Sequence, residues 1–341
     1  MQREFDIIHK YFREAGIGFA KPGVDLGIGD DCALLSIPPE RQLALSMDLL
    51  QEGVHFPENA IPQLIAHRAL AVNLSDLAAA GAEPLCFTLG LSVPSADATW
   101  LEAFSRGLLE AARRYDCPLA GGDLIHGTLT IAIQVQGTLP RGKALLRSTA
   151  QPGDLVYVTG TLGDAAVALS VFARLSDGDT PATGDLLEGA AKPSVAQRDF
   201  FIHRFYQPTA RLAAGIALRD YASSCIDLSD GLLSDLTHIV EDSGVGVELD
   251  VDQLPYSAAM LAVVSPDNRR RAALCGGDDY ELCFSVPPEK CAAMEAALGE
   301  LQVPIKRIGE IISGSGIRCL DSLGEPVEVD CRPFSHFPEQ D

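Results

Sequence analysis

The chain has 341 residues, which at about 150 residues per domain is enough for two domains. Hydrophobic residues make up 47% of the sequence, so disordered and fibrous classes of protein are excluded. The 47 acidic residues outnumber the 26 basic ones, and the net charge of −21 makes nucleic acids and anionic membranes poor partners. Phosphate groups remain suitable ligands if divalent cations lie between them and the carboxylates.

Cysteine usage and the N-terminal residues indicate the compartment. The nine cysteines include no C-x-x-C pair, and several lie within apolar runs, which indicates reduced and mostly buried thiols. Residues 1–13 are charged and amphipathic and lack the apolar stretch of a signal peptide. No segment approaches the roughly 18 uninterrupted apolar residues of a membrane span. We therefore expect a cytoplasmic protein.

Helices and strands alternate in the first half of the chain. Apolar residues recur at helical spacing near the N-terminus, and Gly81 marks the end of a long helix. Alternating apolar and polar side chains predict a half-buried strand near residue 130. In chain order, the predicted elements are a helix over 4–15, a strand over 42–50, helices over 62–80 and 99–115, and a strand over 128–136.

Residues 140–153 are predicted to connect two domains. The segment contains two prolines and two glycines, and its three basic residues have no acidic neighbour before Asp154. We therefore predict an N-terminal domain over 1–139, a basic connector over 140–153 and a C-terminal domain over 154–341.

The second half also mixes the two kinds of element. A polar stretch over 176–193, rich in Gly and Asp, is expected to form a surface loop. The predicted elements are strands over 155–159, at Cys225 and over 280–286, and helices over 163–175, 209–221 and 232–242. Because strands and helices interleave in both halves, we predict an α/β fold built in layers, as in α+β proteins.

Several aspartates lie where a purely solvent-exposed role is not expected. Most follow glycine-rich turns or strands, namely Asp30, Asp31, Asp48, Asp123, Asp227, Asp230, Asp278 and Asp279. Each of these alone also fits a structural role as a turn, strand-end or helix-cap residue. Asp76 differs, because it lies within a helix of small apolar residues, where an unpaired carboxylate is costly. Together, in a chain without a zinc motif, these carboxylates indicate a site for Mg²⁺, which takes oxygen ligands and bridges to phosphates.

Three shorter patterns are similar to known nucleotide-binding motifs, but each departs from its motif. Residues 137–144 match a P-loop, except that Ala144 replaces the Ser or Thr that holds Mg²⁺. Residues 160–163 lack the third glycine of a dinucleotide-binding turn. Residues 276–279 are similar to the hairpin of diguanylate cyclases, but Tyr-Glu follows where those enzymes have Glu-Phe. His55 fits a loop histidine and a phosphate contact equally well.

Six motifs in a fixed order resemble those of the thiamine-monophosphate kinases, a family of the aminoimidazole-ribonucleotide-synthetase-like ATP-binding superfamily. They are Gly-Ile-Gly-Asp-Asp at 27–31, Glu-Gly-Val-His-Phe at 52–56, Asn-Leu-Ser-Asp at 73–76, Gly-Gly-Asp at 121–123, Asp-Leu-Ser-Asp-Gly at 227–231 and Gly-Gly-Asp-Asp-Tyr-Glu-Leu at 276–282. The resemblance covers nearly the whole chain and ends with Phe-Ser-His-Phe at 334–337.

This resemblance implies two α/β domains and a homodimer whose N-terminal sheets pack across the two-fold axis. It also implies thiamine monophosphate and ATP as substrates and several Mg²⁺ ions as cofactors. The implied metal ligands are Asp30, Ser46, Asp48, Asp76, Asp123, Asp227 and Asp230. The implied ATP contacts are Gly122, Asp123, Arg147 and Ser229, the implied substrate contacts are His55, Asp278 and Phe334, and the implied catalytic residues are Asp76, Asp123 and Arg147. The family usually has Thr at the position of Met47 and Glu at that of Asp278.

The chemistry of such a reaction agrees with these residue types. The acceptor is a phosphate monoester with a second pKa of about 6, so it is largely dianionic and needs no general base. The reaction instead requires charge neutralisation and in-line alignment of two anions. We therefore expect direct transfer of the ATP γ-phosphoryl group to thiamine monophosphate. Two alternatives are another activity of the superfamily, such as selenophosphate synthesis or ATP-driven ring closure, and a nucleotide-binding regulatory protein without turnover.

Overall fold

The computed structural model describes residues 4–176, 185–188 and 192–331. The chain divides into two compact units, Met1–Ala144 and Leu145–Asp341. Each unit combines helices with a β-sheet, which confirms the predicted α/β class. None of the helices in the described part of the chain is long and apolar enough to cross a membrane.

The N-terminal unit is built around one main sheet. Its elements are helix α1 (Glu4–Ile8), a π-helical turn (His9–Arg13), strands β1 (Val24–Leu26), β2 (Leu34–Leu35) and β3 (Arg41–Gln51), helix α2 (Pro62–Ala79), strand β4 (Glu83–Val93), helix α3 (Ala98–Arg114) and strands β5 (Leu119–His126) and β6 (Thr130–Pro140). Within the described residues, the main sheet has the strand order β3-β6-β4-β5. Strands β4 and β5 are parallel, and the other neighbours are antiparallel.

Helix α2 is buried on nearly all of its surface. It begins at Pro62, whose fixed φ suits the first helical turn, and the chain leaves it through Gly81, which has a φ of +68°. Several of its alanines have no exposed surface, and the helix contacts α3 as well as strands β3, β4 and β6. The close approach of α3 depends on Gly107, since a Cβ there would overlap the backbone of Gln63.

Strand β3 has two contrasting faces, because successive side chains of a strand point to opposite sides. Ser46 and Asp48 lie on the face that is bonded to α2. The opposite face, called the β3 apolar face below, consists of side chains that are 45% to 58% exposed, namely Leu43, Leu45, Met47 and Leu49.

The C-terminal unit has a larger sheet. Its elements are β7 (Leu155–Thr159), α4 (Asp164–Ser176), α5 (Val195–Tyr206), α6 (Leu212–Leu218), β8 (Ser224–Asp227), α7 (Leu232–Ser243), β9 (Gly246–Asp250), α8 (Ala258–Val263), α9 (Pro266–Cys275), β10 (Leu282–Val286), α10 (Cys291–Glu300), β11 (Ile305–Ile312) and β12 (Gly316–Leu320). In the part that the structure describes, the strand order is β12-β9-β11-β7-β10-β8. Strands β9 and β12 are parallel and the other neighbours antiparallel. Leu236 and Ile239 of α7 belong to the same core cluster as Val158 and Val247 of the sheet.

Most of the predicted elements are confirmed with ends that differ by a few residues. The helix predicted over 4–15 divides into α1 and the π-helical turn, and the helix predicted over 209–221 is only Leu212–Leu218. The elements without a counterpart among the predicted ones are strands β1, β2, β4, β5, β9, β11 and β12 and helices α5, α8, α9 and α10. The glycine pair before Asp123 lies within β5 and forms no turn. Of the polar stretch 176–193, residues 177–184 and 189–191 lie outside the described residues.

Two cysteines correct the expectation that the thiols are reduced. Cys275 and Cys331 form a disulfide, with 5.4 Å between their Cα atoms. Their separation of 56 residues gives no motif, because only the fold brings the end of α9 beside the segment after β12. The predicted buried thiols are confirmed at other positions, namely Cys86, Cys117, Cys225, Cys283 and Cys291.

Candidate active site

The contact between β3 and α2 brings together the first group of predicted site residues. Ser46 Oγ donates a hydrogen bond to Asp76 Oδ2 at 2.5 Å. One helical turn earlier, Asn73 Oδ1 accepts a hydrogen bond from the backbone nitrogen of Asp48 at 2.9 Å. Asn73 is fully buried, and its amide nitrogen donates to the carbonyl oxygen of Ala69. The two bonds fix the register of the strand against the helix and place Ser46, Asp48 and Asp76 in one region.

Asp76 is a carboxylate in a largely apolar setting. Burial raises the pKa of Asp76 above its usual value, and the hydrogen bond from Ser46 opposes this shift. Burial disfavours the charged form of a carboxyl group, whereas a nearby cation favours it. The position therefore suits a carboxylate that shares its charge with a cation.

A cavity of about 600 Å³ in the N-terminal unit contains the second group. Asp30 reaches it from the loop between β1 and β2, and Gly122 and Asp123 reach it from β5. A Cβ at Gly122 would overlap the carbonyl oxygen of Leu89, so only glycine fits there. Arg13, which the sequence analysis did not single out, also lines the cavity and brings a positive charge to it.

His55 lies in the turn after β3. Its Nδ1 accepts a hydrogen bond from the backbone nitrogen of Gln51 at 3.0 Å, and its own backbone nitrogen donates to the carbonyl oxygen of Gln51. Because Nδ1 is the acceptor, the hydrogen of the neutral ring is on Nε2. The turn contacts thus hold the Nδ1 side of the ring against the backbone of Gln51.

In the C-terminal unit, three predicted residues lie at the end of strand β8 or in the loop after it, as the sequence indicated. Asp227 is the last residue of the strand, and Ser229 and Asp230 lie in the loop before α7. The backbone nitrogen of Asp230 donates to the carboxylate of Asp235 in the first turn of α7. Burial raises the pKa of the Asp235 carboxyl to about 7, although bonds from backbone nitrogens of the preceding loop oppose the shift. Sequence reasoning missed Asp235, whose signal is an acidic residue in the first turn of a helix.

Asp278 and Ser229 are brought together by backbone pairing. The backbone nitrogen of Asp278 donates to the carbonyl oxygen of Ser229 at 2.8 Å, and that of Tyr280 donates to the carbonyl oxygen of Leu228 at 2.8 Å. A Cβ at Gly277 would overlap the carbonyl oxygen of Ser229, so the approach of the two segments requires glycine. Ser229, a predicted ATP contact, and Asp278, a predicted substrate contact, therefore lie on paired backbone segments.

Behind this loop lies a buried network of charges that sequence reasoning also missed. Glu281 accepts hydrogen bonds from Arg211 at 2.5 and 2.7 Å, from Arg204 at 3.2 Å and from Thr159 at 2.7 Å. Burial opposes the ionisation of Glu281, but the two guanidinium groups hold its pKa below the usual value. Burial raises the pKa of the neighbouring Asp279 well above its ordinary range. The network anchors the chain where it enters β10.

Arg147 is the remaining predicted residue among those that the structure describes. Arg147 lies in a short 3-10 turn, where its Nε is 3.3 Å from Oδ2 of Asp242, and its side chain is about half exposed. Phe334 lies outside the described residues.

The predicted metal ligands form pairs and not one tight cluster. Among the described residues, no three His, Cys, Asp or Glu side chains gather closely enough to form a metal site. The N-terminal unit joins Ser46 to Asp76 and places Asp30 and Asp123 along one cavity. Asp227 and Asp230 belong to the C-terminal unit.

Two family models match the chain. The model described as AIR synthase related protein, N-terminal domain, matches residues 29–139. The model described as AIR synthase related protein, C-terminal domain, matches residues 151–321. The two matches include the candidate residues above with the exception of Arg147 and Phe334.

Named relatives match over nearly the full length. The thiamine-monophosphate kinase of Escherichia coli (strain K12) is 45% identical over 335 residues, which are 98% of each chain. The crystal structure of thiamine-monophosphate kinase from Stenotrophomonas maltophilia K279a has a TM-score of 0.81 and 40% identity, and covers 92% of this chain and 95% of that chain. A solved structure described as AaThiL complexed with AMPPCP and TMP has a TM-score of 0.72 and 29% identity, over 91% and 92%. The chain therefore belongs to the thiamine-monophosphate kinase family of AIR-synthase-related proteins.

Proposed function

We propose that this chain transfers the γ-phosphoryl group of ATP directly to thiamine monophosphate and releases thiamine diphosphate and ADP, the final step of thiamine diphosphate biosynthesis. The observation that carries the proposal is the half-buried Asp76 carboxylate bonded to Ser46, in a chain that matches a thiamine-monophosphate kinase over 98% of its length. A phosphoryl-transfer site needs such oxygen ligands, because divalent cations must offset the charge of two phosphate groups. The neighbour complexed with AMPPCP and TMP supports ATP and thiamine monophosphate as the two substrates.

The candidate ligands fit Mg²⁺ as the cation. They offer only oxygen atoms, and the half-buried Asp76, whose pKa burial raises, is in a setting where a cation favours the ionised form. When bound, Mg²⁺ supplies charge neutralisation at the phosphates. The ligands that we assign are Asp30, Ser46, Asp48, Asp76 and Asp123 of the N-terminal unit and Asp227 and Asp230 of the C-terminal unit.

The other residues bind and orient the substrates. Gly122, Arg147 and Ser229 contact ATP. His55 donates to the phosphate of thiamine monophosphate, and Asp278 faces its cationic thiazolium ring. Because the acceptor phosphate is already ionised, with a second pKa of about 6, no side chain has to remove a proton. The catalytic contribution of this chain is therefore alignment and charge, and the use of ATP is consistent with a cytoplasmic location.

The proposal predicts a defined product. Incubation of the purified protein with Mg²⁺, ATP and thiamine monophosphate is expected to give thiamine diphosphate and ADP in equal amounts by mass spectrometry. Thiamine itself is the matched control and should give no product, because its neutral hydroxyl would need a general base. Release of ADP without thiamine diphosphate would indicate another activity of the superfamily. Binding of ATP without any release of ADP would indicate a regulatory protein.

The β3 apolar face supports a homodimer as the working form. Half-exposed leucines on an edge strand favour pairing of two copies about a two-fold axis. Light scattering is expected to give twice the 36.2 kDa of one chain at micromolar concentration. Leu45→Glu should shift the mass toward that of one chain, whereas Leu261→Glu, a similarly exposed leucine on α8, should leave it unchanged. A wild-type protein with the mass of one chain would contradict the dimer.

A further inference from the structure

The loop between α9 and β10 contains two residues in a backbone conformation that is rare outside glycine. The φ angles of Asp278 and Tyr280 are +70° and +51°, in the left-handed region. A bulky residue such as tyrosine persists there only when the surrounding contacts over-determine its conformation. Such residues concentrate at ligand-binding sites, so the conformation indicates a functional constraint on this loop.

Buried contacts hold the loop between these two residues. Asp279 is 3% exposed, and its Oδ2 accepts a hydrogen bond from the backbone nitrogen of Gly163 at 2.6 Å. The backbone nitrogens of Asp278 and Tyr280 donate to the two carbonyl groups that follow β8. The loop therefore turns Asp279 inward, while the side chains on either side of it remain partly exposed.

The two flanking side chains contact each other. Tyr280 Oη donates a hydrogen bond to Asp278 Oδ1 at 3.3 Å. This distance is long for a hydrogen bond between a hydroxyl and a carboxylate. The bond limits the rotation of the Asp278 side chain, and the left-handed backbone of both residues places their side chains within reach of each other.

We infer that Tyr280 is a positioning residue, whose hydroxyl orients the Asp278 carboxylate toward the thiazolium ring of thiamine monophosphate. The inference rests on the proposed function, in which Asp278 faces that ring. The positioning role explains why a tyrosine is present in a backbone conformation that glycine or asparagine adopts more readily. It also predicts that loss of the hydroxyl affects thiamine monophosphate and not ATP. The hydroxyl contacts Asp278, whereas the backbone pairing of the loop with Ser229 does not depend on the hydroxyl.

The variant Tyr280→Phe tests the inference, since it removes the hydroxyl and keeps the ring. The Michaelis constant for thiamine monophosphate is expected to rise about 3- to 10-fold, as for the loss of a hydrogen bond to a charged group. The Michaelis constant for ATP and kcat are expected to stay within about twofold of their wild-type values, because the backbone hydrogen bonds to Leu228 and Ser229 remain. Steady-state kinetics with each substrate varied in turn measures both.

Two further variants distinguish positioning from packing. In an Asp278→Asn background, Tyr280→Phe should change the Michaelis constant for thiamine monophosphate by less than about 1.5-fold, because asparagine has no negative charge for the hydroxyl to orient toward the thiazolium ring. Tyr157→Phe is the matched control, since the Tyr157 hydroxyl donates to Glu295 Oε1 at 2.9 Å elsewhere in the same unit. This control should alter neither constant.

The outcomes separate this inference from the proposed function. An equal rise of both Michaelis constants, or effects of Tyr280→Phe and Asp278→Asn that simply add, would overturn the positioning role. An unchanged Tyr280→Phe enzyme would overturn it as well, while leaving the kinase activity established. A wild-type protein that does not phosphorylate thiamine monophosphate would instead refute the proposed function.

Discussion

Replacement of Asp76 by Asn is expected to lower the turnover of thiamine monophosphate by at least about a hundredfold while the protein stays folded. Asparagine has the shape of aspartate, and its amide oxygen can still accept the hydrogen bond from Ser46. The variant lacks the negative charge, so the stabilisation of the phosphoryl-transfer transition state is lost. Because burial raises the pKa of Asp76, a neutral side chain there should not lower the melting temperature.

The measurement is kcat with saturating Mg²⁺ and ATP, accompanied by a thermal melt. Asp199→Asn is the control, because Asp199 lies on the exposed side of α5 and the same loss of charge should leave kcat unchanged. Near-normal turnover in a folded Asp76→Asn protein would show that this carboxylate has only a structural role.

Replacement of Glu281 by Gln is expected to destabilise the C-terminal unit by about 3 kcal/mol, the cost of breaking a buried ion pair. Glutamine removes the charge that Arg204 and Arg211 share and leaves both guanidinium groups largely buried beside a neutral amide. For a domain of this size, the loss corresponds to a fall of about 10 °C in the melting temperature.

Denaturant titration and thermal melts, followed by circular dichroism, test this expectation. Glu310→Gln is the matched control, because the pair of Glu310 with Arg307 at 3.8 Å is about half exposed. Loss of the ion pair between Arg307 and Glu310 should change the free energy of unfolding by less than about 0.5 kcal/mol. Equal effects of the two variants would show that burial does not strengthen the Glu281 network.

Local sequence was sufficient to predict the elements with strong periodicity or a clear end signal. Helix α2 was predicted because a long apolar run stops at Gly81, and strand β6 because apolar and polar side chains alternate. Strand β5 was missed, because Gly121 and Gly122 have the local preference of a turn. The strand forms because Gly122 lies against the carbonyl oxygen of Leu89 in β4, a contact that local propensity does not contain.

For the candidate site, too, local sequence indicated single residues but not the contacts between distant ones. Asp76 was recognisable because a charge within a helix of small apolar residues requires an explanation. The hydrogen bond between Asp76 and Ser46 could not be predicted, because the register of β3 against α2 is set by packing between residues 30 positions apart. Arg211 and Glu281 are 70 positions apart, and neither belongs to a motif that names its partner. The resemblance supplied the candidate residues, and only the structure supplied the contacts that hold them.

The enclosure of helix α2 affects how a ligand would meet the N-terminal site. Several of its alanines have no exposed surface, and Gly107 lets α3 pack directly against its first turn, so a shift of the helix would cause overlap. The orientations of Asn73 and Asp76 are therefore fixed when the protein folds. The conformational entropy of these groups is lost during folding, so a cation that binds later meets an Asp76 carboxylate that is already oriented, and little further entropy is lost on binding.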